Sequence, residues 1–290
     1  NGRIDLTQAE AIIDIIEAKT EDSLSLAVAQ LDGTVSSFVK DVREQLIAMI
    51  AHLEVTIDYP EEDIEDVTSQ EVREQLQPIL KAMDELLSTA NTGRLIRDGI
   101  TTVIVGRPNA GKSSLMNALL RENRAIVTDI PGTTRDSIEE YMTVEGISLR
   151  LIDTAGIRDT QDTVEALGVE RARDYINKAD IVLCVIDGST PLTPEEIEIL
   201  TSVSGLNTIV LLNKSDVAQV VTDENIKEHG TFTAIERISA KEGEGSAVFS
   251  KWVQELVYGG RVKQDNSAMI SNVRHISLME QAKAQVEQAL

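Results

Sequence analysis

The segment that most constrains the fold of this chain is Gly106-Arg107-Pro108-Asn109-Ala110-Gly111-Lys112-Ser113, which has the P-loop form G-x-x-x-x-G-K-S. It joins an apolar run, Ile100 to Val105, to a helical pattern, Ser113 to Leu120, as a P-loop joins a strand to a helix. Glycines let backbone N–H groups curl around phosphates, and the positive end of the helix faces them. We expect Lys112 to reach the β- and γ-phosphates and Ser113 to hold Mg²⁺. The sequence therefore predicts a nucleoside triphosphate site.

Two further segments have the character of switch loops. After the apolar run Leu149 to Ile152 comes Asp153-Thr154-Ala155-Gly156, whose carboxylate would face the Mg²⁺ shell and whose Gly156 N–H could sense a γ-phosphate. Upstream, Thr128 to Asp136 is a polar loop from which a threonine hydroxyl could reach Mg²⁺. Chemistry alone leaves either Thr133 or Thr134 open as that ligand.

The base is predicted from two later segments. Asn213-Lys214-Ser215-Asp216 follows an apolar strand, and an Asp216 carboxylate can accept both the N1–H and the 2-amino group of guanine, a donor pair that adenine lacks. Ser239-Ala240-Lys241 follows another strand, where a backbone N–H could meet the guanine oxygen. Each tetrapeptide or tripeptide alone is more often an ordinary surface loop. Their order and their positions at strand ends favour a guanine nucleotide, and an ATPase is disfavoured.

Composition sets the class of protein. The 290 residues favour one or two domains, and no run of eighteen apolar residues exists, so no membrane span is expected. The single cysteine, Cys184, lies in the apolar run Ile181 to Ile186 and is interpreted as a core residue. We expect a reducing, cytoplasmic location. A net charge of −22 repels polyanions, which argues against tight non-specific nucleic-acid binding. The start at Asn1 suggests a larger parent protein.

Helical patterns occupy both ends of the chain. Before Asn91-Thr92-Gly93, apolar residues follow helical spacing, first from Leu6 to Ile16, with Thr7 and Glu10 as an expected capping box. A long seam then runs through Val35, Phe38, Val42, Leu46, Met49 and Leu53. Packing within a bundle explains the seam better than a dimer contact. The acidic stretch Asp58 to Asp66 contains Pro60 and is expected to be a solvated loop rather than a metal site.

Between these ends, strands and helices alternate from Ile100 to Tyr258, which is typical of a mostly parallel sheet with helices on both faces. Glu145-Gly146 predicts one hairpin turn and therefore one antiparallel edge pair. Helical spacing returns from Ile276 to Leu290. The predicted fold is an α/β P-loop GTPase domain, residues 98–258, inserted into an all-α domain formed by residues 1–97 and 259–290. The nucleotide is expected at the carboxyl ends of the strands.

The chain resembles the MnmE (TrmE) family of tRNA-modification GTPases over essentially its whole length. The matching segments are Asn1 to Glu10, Ile57 to Glu62, Gly106 to Ser114, Thr128 to Asp136 and Asp153 to Gly156. The resemblance implies modification of the wobble uridine of certain tRNAs at carbon 5, jointly with the flavoprotein MnmG. The family pattern also has an N-terminal folate-binding domain and a Cys-containing C-terminal tail. Neither matches a segment here, so folate is expected only in the missing domain and the tail cysteine has no counterpart.

The resemblance also assigns the catalytic groups. Small regulatory GTPases place Gln where this chain has Ile157, which cannot orient water. The family implies that Glu165 orients it instead, although a first-turn helix acid is the alternative. It implies K⁺ in place of an arginine finger, Mg²⁺ held by Ser113 and Thr134, and hydrolysis by a homodimer of G domains. The implied K⁺ ligands are Asn109, Thr128, Ile130 and Thr133. The expected catalytic residues are Glu165, Asn109 and Lys112.

The motifs and the resemblance together predict that the nucleotide is contacted by Gly106, Asn109, Ala110, Gly111, Lys112, Ser113, Ser114, Thr128, Thr133, Thr134, Asp153, Gly156, Asn213, Lys214, Asp216, Ser239, Ala240 and Lys241. The alternative function is a GTP-dependent binding switch, such as a ribosome-assembly GTPase, which shares these core motifs. Such relatives usually carry basic RNA-binding domains, whereas this chain is acidic.

Overall fold

The computed structural model describes residues 5–58, 68–123, 139–153, 173–259 and 268–290. Contacts divide the chain into two compact units. The helical unit comprises residues 1–98 and 261–290, and the α/β unit comprises residues 99–260. Each unit has its own hydrophobic core.

The α/β unit is built on a six-stranded sheet. Its strands are β1 (Ile100–Val105), β2 (Glu139–Val144), β3 (Ile147–Asp153), β4 (Ile181–Asp187), β5 (Thr208–Asn213) and β6 (Ala234–Arg237). The order across the sheet is β2-β3-β1-β4-β5-β6. Among the described strands, β2 and β3 pair in antiparallel fashion and the other neighbours are parallel. Glu145 and Gly146 turn this hairpin with φ of 51° and 81°, as a two-residue turn between twisted strands requires.

Helices alternate with these strands, as predicted. They are α6 (Lys112–Asn123), α7 (Pro194–Ser202), α8 (Asp223–Lys227) and α9 (Gly245–Tyr258), and residues 173–178 are also helical. One face of β1, β4 and β5 packs against apolar residues of α7 and α8 in a single buried cluster. Alternate strand residues such as Ile104, Leu183 and Leu211 are buried on the opposite face. The predicted α/β class with a mostly parallel sheet covered on both faces is confirmed.

Cys184 lies within this core and is fully buried. Burial raises the pKa of its thiol to about 12, and the nearby Glu196 carboxylate adds to that effect. The thiol is therefore protonated and unreactive at neutral pH, as its interpretation as a core residue requires.

The helical unit contains α1 (Leu6–Glu17), α2 (Glu21–Leu31), α3 (Thr34–Asp58), α4 (Ser69–Ser88), α5 (Ala90–Asp98) and α10 (Val273–Gln288). Its core brings together α3, α4 and α10, with Met49, Met83 and Met279 buried among their neighbours. The α3 seam packs into this same cluster, so the prediction of bundle packing is confirmed. The acidic stretch after Asp58 lies outside the described residues.

The expected capping box of the first helix is wrong. Asp5, not Thr7, is the N-cap of α1, and it exchanges hydrogen bonds with Gln8 rather than with Glu10. Glu10 instead accepts two hydrogen bonds from Arg274 at the start of α10, at 2.9 and 3.0 Å. Helix α1 therefore begins earlier, and its glutamate connects the first part of the unit to the last. Within the described ranges, no helix has the length and apolar content that crossing a membrane needs.

Candidate functional site

The P-loop follows β1 and depends on two glycines at close approaches. Gly106 has φ of 150°, and a Cβ there would collide with the carbonyl oxygen of Val185 on β4. Gly111 has φ of 105°, and a Cβ there would collide with the side-chain amide of Asn213 at the end of β5. Side chains at either position would push the loop away from its neighbours. The glycine spacing of the motif is thus explained by contacts within the protein as well as by a ligand.

Lys112 begins helix α6 and lies inside the loop. Its ammonium group donates to the carbonyl oxygens of Gly106 and Arg107, each at 2.8 Å, and the residue is 6% exposed. Ser113 and Ser114 follow on the exposed first turn of α6. A buried cation, curled backbone and a helix N-terminus at one place form an anion-binding site. These groups fit a phosphate chain, and Ser113 is exposed on the helical turn beside them.

Asn109 lies at the exposed tip of the loop with a left-handed backbone, φ 63°. Asparagine tolerates this conformation better than most side chains. Behind it, the Ala110 N–H donates to the Arg107 carbonyl at 3.3 Å, which closes the turn. Asn109 is the one predicted K⁺ ligand among the described residues.

Asn213 joins the phosphate loop to both base-binding segments. Its side-chain N–H donates to the Ala110 carbonyl at 2.8 Å, and its side-chain oxygen accepts from the Ala240 N–H at 3.0 Å. Asn213 is 3% exposed, so both bonds are made in a buried environment where an unpaired amide is costly. The structure therefore brings three predicted motifs together through one side chain.

The other base-binding residues lie around this amide. Ser239 is buried and donates through its hydroxyl to an Asp216 carboxylate oxygen at 2.9 Å. The Ser239 N–H donates to Glu244 at 2.9 Å, which fixes the loop at its other end. Lys214 has a left-handed backbone, φ 65°, and Lys241 is exposed. Asp216 is exposed, and the bond from Ser239 fixes the position of one of its carboxylate oxygens.

Two charged residues of this site were not predicted. The Arg107 guanidinium donates to Glu196 at 2.8 Å and approaches Asp187 at 3.4 Å. Asp187 also accepts from the Lys214 ammonium at 2.6 Å. The sequence signal was a charged residue near the carboxyl end of each of two buried strands: Arg107 lies two positions after β1, and Asp187 is the last residue of β4.

Asp187 is ionised in this environment. Burial alone would raise the pKa of its carboxyl, but hydrogen bonds from Lys214 and Ser189 outweigh burial and lower the pKa below its usual value. The site therefore contains a buried negative charge between the phosphate loop and the base-binding loop.

Several predicted site residues lie outside the described residues. They are Thr128, Ile130, Thr133, Thr134, Gly156 and Glu165. Asp153 ends β3 in register with Ile104, which places its backbone beside β1, and only its backbone is described. Among the residues described, no group of three or more His, Cys, Asp or Glu side chains could hold a metal ion.

Comparisons with known proteins agree with these motifs. The family model of the MnmE helical domain matches residues 6–290. The tRNA modification GTPase MnmE of Geobacillus thermodenitrificans is 47% identical over 291 residues, and that of Clostridioides difficile is 46% identical over 290. Both alignments cover 100% of this chain and 63% of the relative, so the chain spans less than two thirds of their length.

Among solved structures, a variant of Aquifex aeolicus Era bound to GDP and AlF4⁻ is 27% identical, with a TM-score of 0.41. The match covers 60% of this chain and 62% of that one. Family membership rests on the sequence relatives and on the family model. The chain belongs to the MnmE family.

Proposed function

We propose that this chain binds GTP with Mg²⁺ and hydrolyses it, and that the whole protein acts in tRNA modification. The observation that carries the proposal is the Asn213 side chain, which joins the phosphate loop at 2.8 Å to the Ser-Ala-Lys loop at 3.0 Å. A single buried amide thereby holds the groups for phosphate and for base at one edge of the sheet. The name of the relatives, tRNA modification GTPase, supports the same proposal.

Lys112 and the N-terminus of α6 are the proposed phosphate-binding groups. The Lys112 ammonium donates to two carbonyl groups of its own loop, which fixes its position there. Bound Mg²⁺ would neutralise charge on the phosphates, with Ser113 and Thr134 as its proposed protein ligands. Preorganised donors of this kind stabilise charge that develops during phosphoryl transfer.

Guanine recognition falls to Asp216, and a base-swap experiment tests it. Xanthine carries an oxygen where guanine carries the 2-amino group, so an amide at position 216 can donate to it. We expect Asp216→Asn to lose GTP affinity by about 100-fold or more, because a bound guanine would leave donor groups unpaired at position 216, and to gain affinity for XTP. The matched control, Asp174→Asn, changes an exposed aspartate of the same unit and should bind like the unmodified chain. Unchanged GTP preference in Asp216→Asn would contradict the assignment.

For hydrolysis, we propose that K⁺ bound by Asn109, Thr128, Ile130 and Thr133 replaces an arginine finger when two G domains meet. The exposed position of Asn109 at the loop tip supports a ligand from that side. Turnover in K⁺ should exceed turnover in Na⁺ by about tenfold or more, since an arginine finger contributes far more than that. The measurement is steady-state phosphate release at equal ionic strength, with dimerisation followed by sedimentation in GDP and AlF4⁻. Equal rates in the two salts would reject the K⁺ role.

Glu165 is the proposed residue that orients the attacking water. Glu165→Ala should lower kcat while nucleotide affinity is kept, because the residue acts on the nucleophile and not on the bound substrate. Glu255→Ala is the control, since that exposed glutamate lies on α9 in the same unit. A kcat equal to that of the control would return Glu165 to a helix-capping role.

For the whole protein we propose modification of the wobble uridine at carbon 5, with MnmG and tRNA as partners. The family membership supports this function over that of a ribosome-assembly switch. Nucleoside analysis of tRNA from cells lacking the gene should show loss of the carbon-5 group and its return on complementation. We also propose that the two units correspond to a helical domain and an inserted G domain, a division that the contact pattern supports.

A further inference from the structure

The ion pairs behind the nucleotide site contain a residue with no role so far. Asp187 is the last residue of β4 and is 4% exposed, yet it is ionised. One carboxylate oxygen accepts from Lys214 at 2.6 Å, and the other accepts from the N–H and the hydroxyl of Ser189 at 3.1 and 2.6 Å. A buried carboxylate with this many partners is fixed in position. It can therefore fix the position of the Lys214 ammonium group that it binds.

The Arg107 side of the network is anchored separately. Glu196 is fully buried, accepts from the Arg107 Nε at 2.8 Å, and accepts from the N–H and hydroxyl of Thr193 at 3.0 and 2.8 Å. Its contact with Arg107 is short, whereas that of Asp187 with Arg107 is 3.4 Å. Loss of the Asp187 charge would therefore leave Arg107 held by Glu196.

Lys214 depends more heavily on Asp187. It is the most exposed member of the network, with 41% of its side chain exposed. Its backbone has φ of 65°, which a lysine adopts at a cost that its surroundings must offset. Gln219 donates to the Lys214 carbonyl at 2.7 Å and holds the backbone, while Asp187 holds the ammonium group. The apolar stem of Lys214 is thus fixed at both ends, at its backbone and at its ammonium group.

We propose that Asp187 is a positioning residue for base recognition: by holding the Lys214 ammonium, it fixes the lysine stem where the purine binds. The inference rests on the proposed binding of a guanine nucleotide. Asp187 touches no nucleotide itself. Its effect falls on affinity for the base and spares the phosphate site, because Arg107 and Lys112 keep their own partners.

The experiment measures fluorescent GDP binding and its displacement by tripolyphosphate, which has no base. Asp187→Asn should weaken GDP binding about tenfold, the scale expected when a charge-assisted hydrogen bond is lost. Displacement by tripolyphosphate from either protein should report a phosphate affinity that changes less than about twofold. Asp223→Asn, which removes an exposed ion pair with Arg237, is the matched control and should leave both affinities unchanged. Equal loss for GDP and tripolyphosphate would overturn the proposal.

A double-mutant cycle separates positioning from general damage. If Asp187 acts through Lys214, then Asp187→Asn should cause no further loss of GDP affinity in a Lys214→Met background. Additive losses would overturn the proposal. Should Asp187→Asn fail to fold, Ser189→Ala removes the 2.6 Å hydrogen bond and keeps the charge. It should weaken GDP binding by about twofold, again only when Lys214 is present. An unmodified chain that binds no GDP would refute the proposed function, whereas binding that Asp187 does not affect would refute this inference alone.

Discussion

The α/β unit and the helical unit enclose their apolar side chains in different ways. Every residue of strand β4 is buried, because both faces of the sheet are covered. In contrast, α1 buries Ala11 and leaves Ile12, Ile13 and Ile16 exposed, with Ile16 79% exposed. A helix that packs on one side buries a single stripe of its residues. The difference predicts that a substitution in the sheet costs more stability than one on the exposed face of α1.

The largest expected effect is in the sheet. Leu151→Ala removes a fully buried side chain from β3 and should lower the free energy of unfolding by about 2–5 kcal/mol, through lost burial and a cavity. The measurement is urea unfolding followed by fluorescence of Trp252, the single tryptophan of the chain, which lies on α9 in the same unit. Val217→Ala, at a 48% exposed position, should change the free energy of unfolding by less than about 0.5 kcal/mol. Equal effects would contradict a sheet-centred core.

A smaller effect is expected in the helical core. Met83→Ala on α4 should cost about 2 kcal/mol, because methionine fills its site flexibly and neighbouring helices can close part of the cavity. Circular dichroism at 222 nm reports mainly helix, and its transition should shift while the Trp252 fluorescence transition stays in place. A shift of both transitions together would show that the two units unfold as one.

A pH effect should appear in the helical unit alone. Burial lowers the pKa of His275 below 6.5; Glu10 and Asp5 oppose this, while Arg274 and Arg97 add to it. The unfolded chain then binds a proton at higher pH than the folded one. Stability from neutral His275 is complete above pH 6.5 and declines as the pH falls towards the lowered pKa.

The measurement is the midpoint of the circular dichroism transition between pH 7.5 and 5.5. His275→Gln should flatten the slope in this range, while His52→Gln, at an exposed position on α3, should retain it. If His275→Gln left the slope unchanged, the loss of stability in acid would come from carboxylates instead.

The smallest effect is expected at the exposed face of α1. Ile16→Ser should change the free energy of unfolding by less than about 0.5 kcal/mol, because the side chain is already in contact with solvent. The comparison variant is Ala11→Ser, which puts a hydroxyl at a fully buried position of the same helix and should cost more. If Ile16→Ser proved the more damaging of the two in urea unfolding, α1 would have to be covered in solution.

Sequence reasoning found the parts of the site that depend on local pattern. The P-loop, its strand and its helix occur at the predicted positions, because glycine spacing and an apolar run are patterns defined by a few neighbouring residues. The helix start at Asp5 was missed because Thr7 and Glu10 offer an equally good local pattern. In the structure Asp5 also accepts from Ser36 at 2.6 Å and Glu10 accepts from Arg274, contacts that no local pattern predicts.

The hydrogen bonds that join one motif to another could not be predicted from local sequence patterns. Asn213 was assigned to the base, yet its two hydrogen bonds join it to Ala110 and Ala240, which are 103 and 27 positions away. The partnership of Arg107 with Glu196 spans 89 positions and leaves no periodic signal. Such contacts follow from strand order across the sheet, which the sequence specifies only through the whole fold.

The hydrogen bond between Gln30 and Ser271 closes the helical unit at 2.6 Å across 241 positions. The ribosome synthesises residues 99–260 before Ser271. The sheet can therefore form while the helical unit still lacks α10. Synthesis therefore completes the residues of the α/β unit before those of the helical unit. During that interval the α4 surface that receives α10 is exposed to chaperones and proteases.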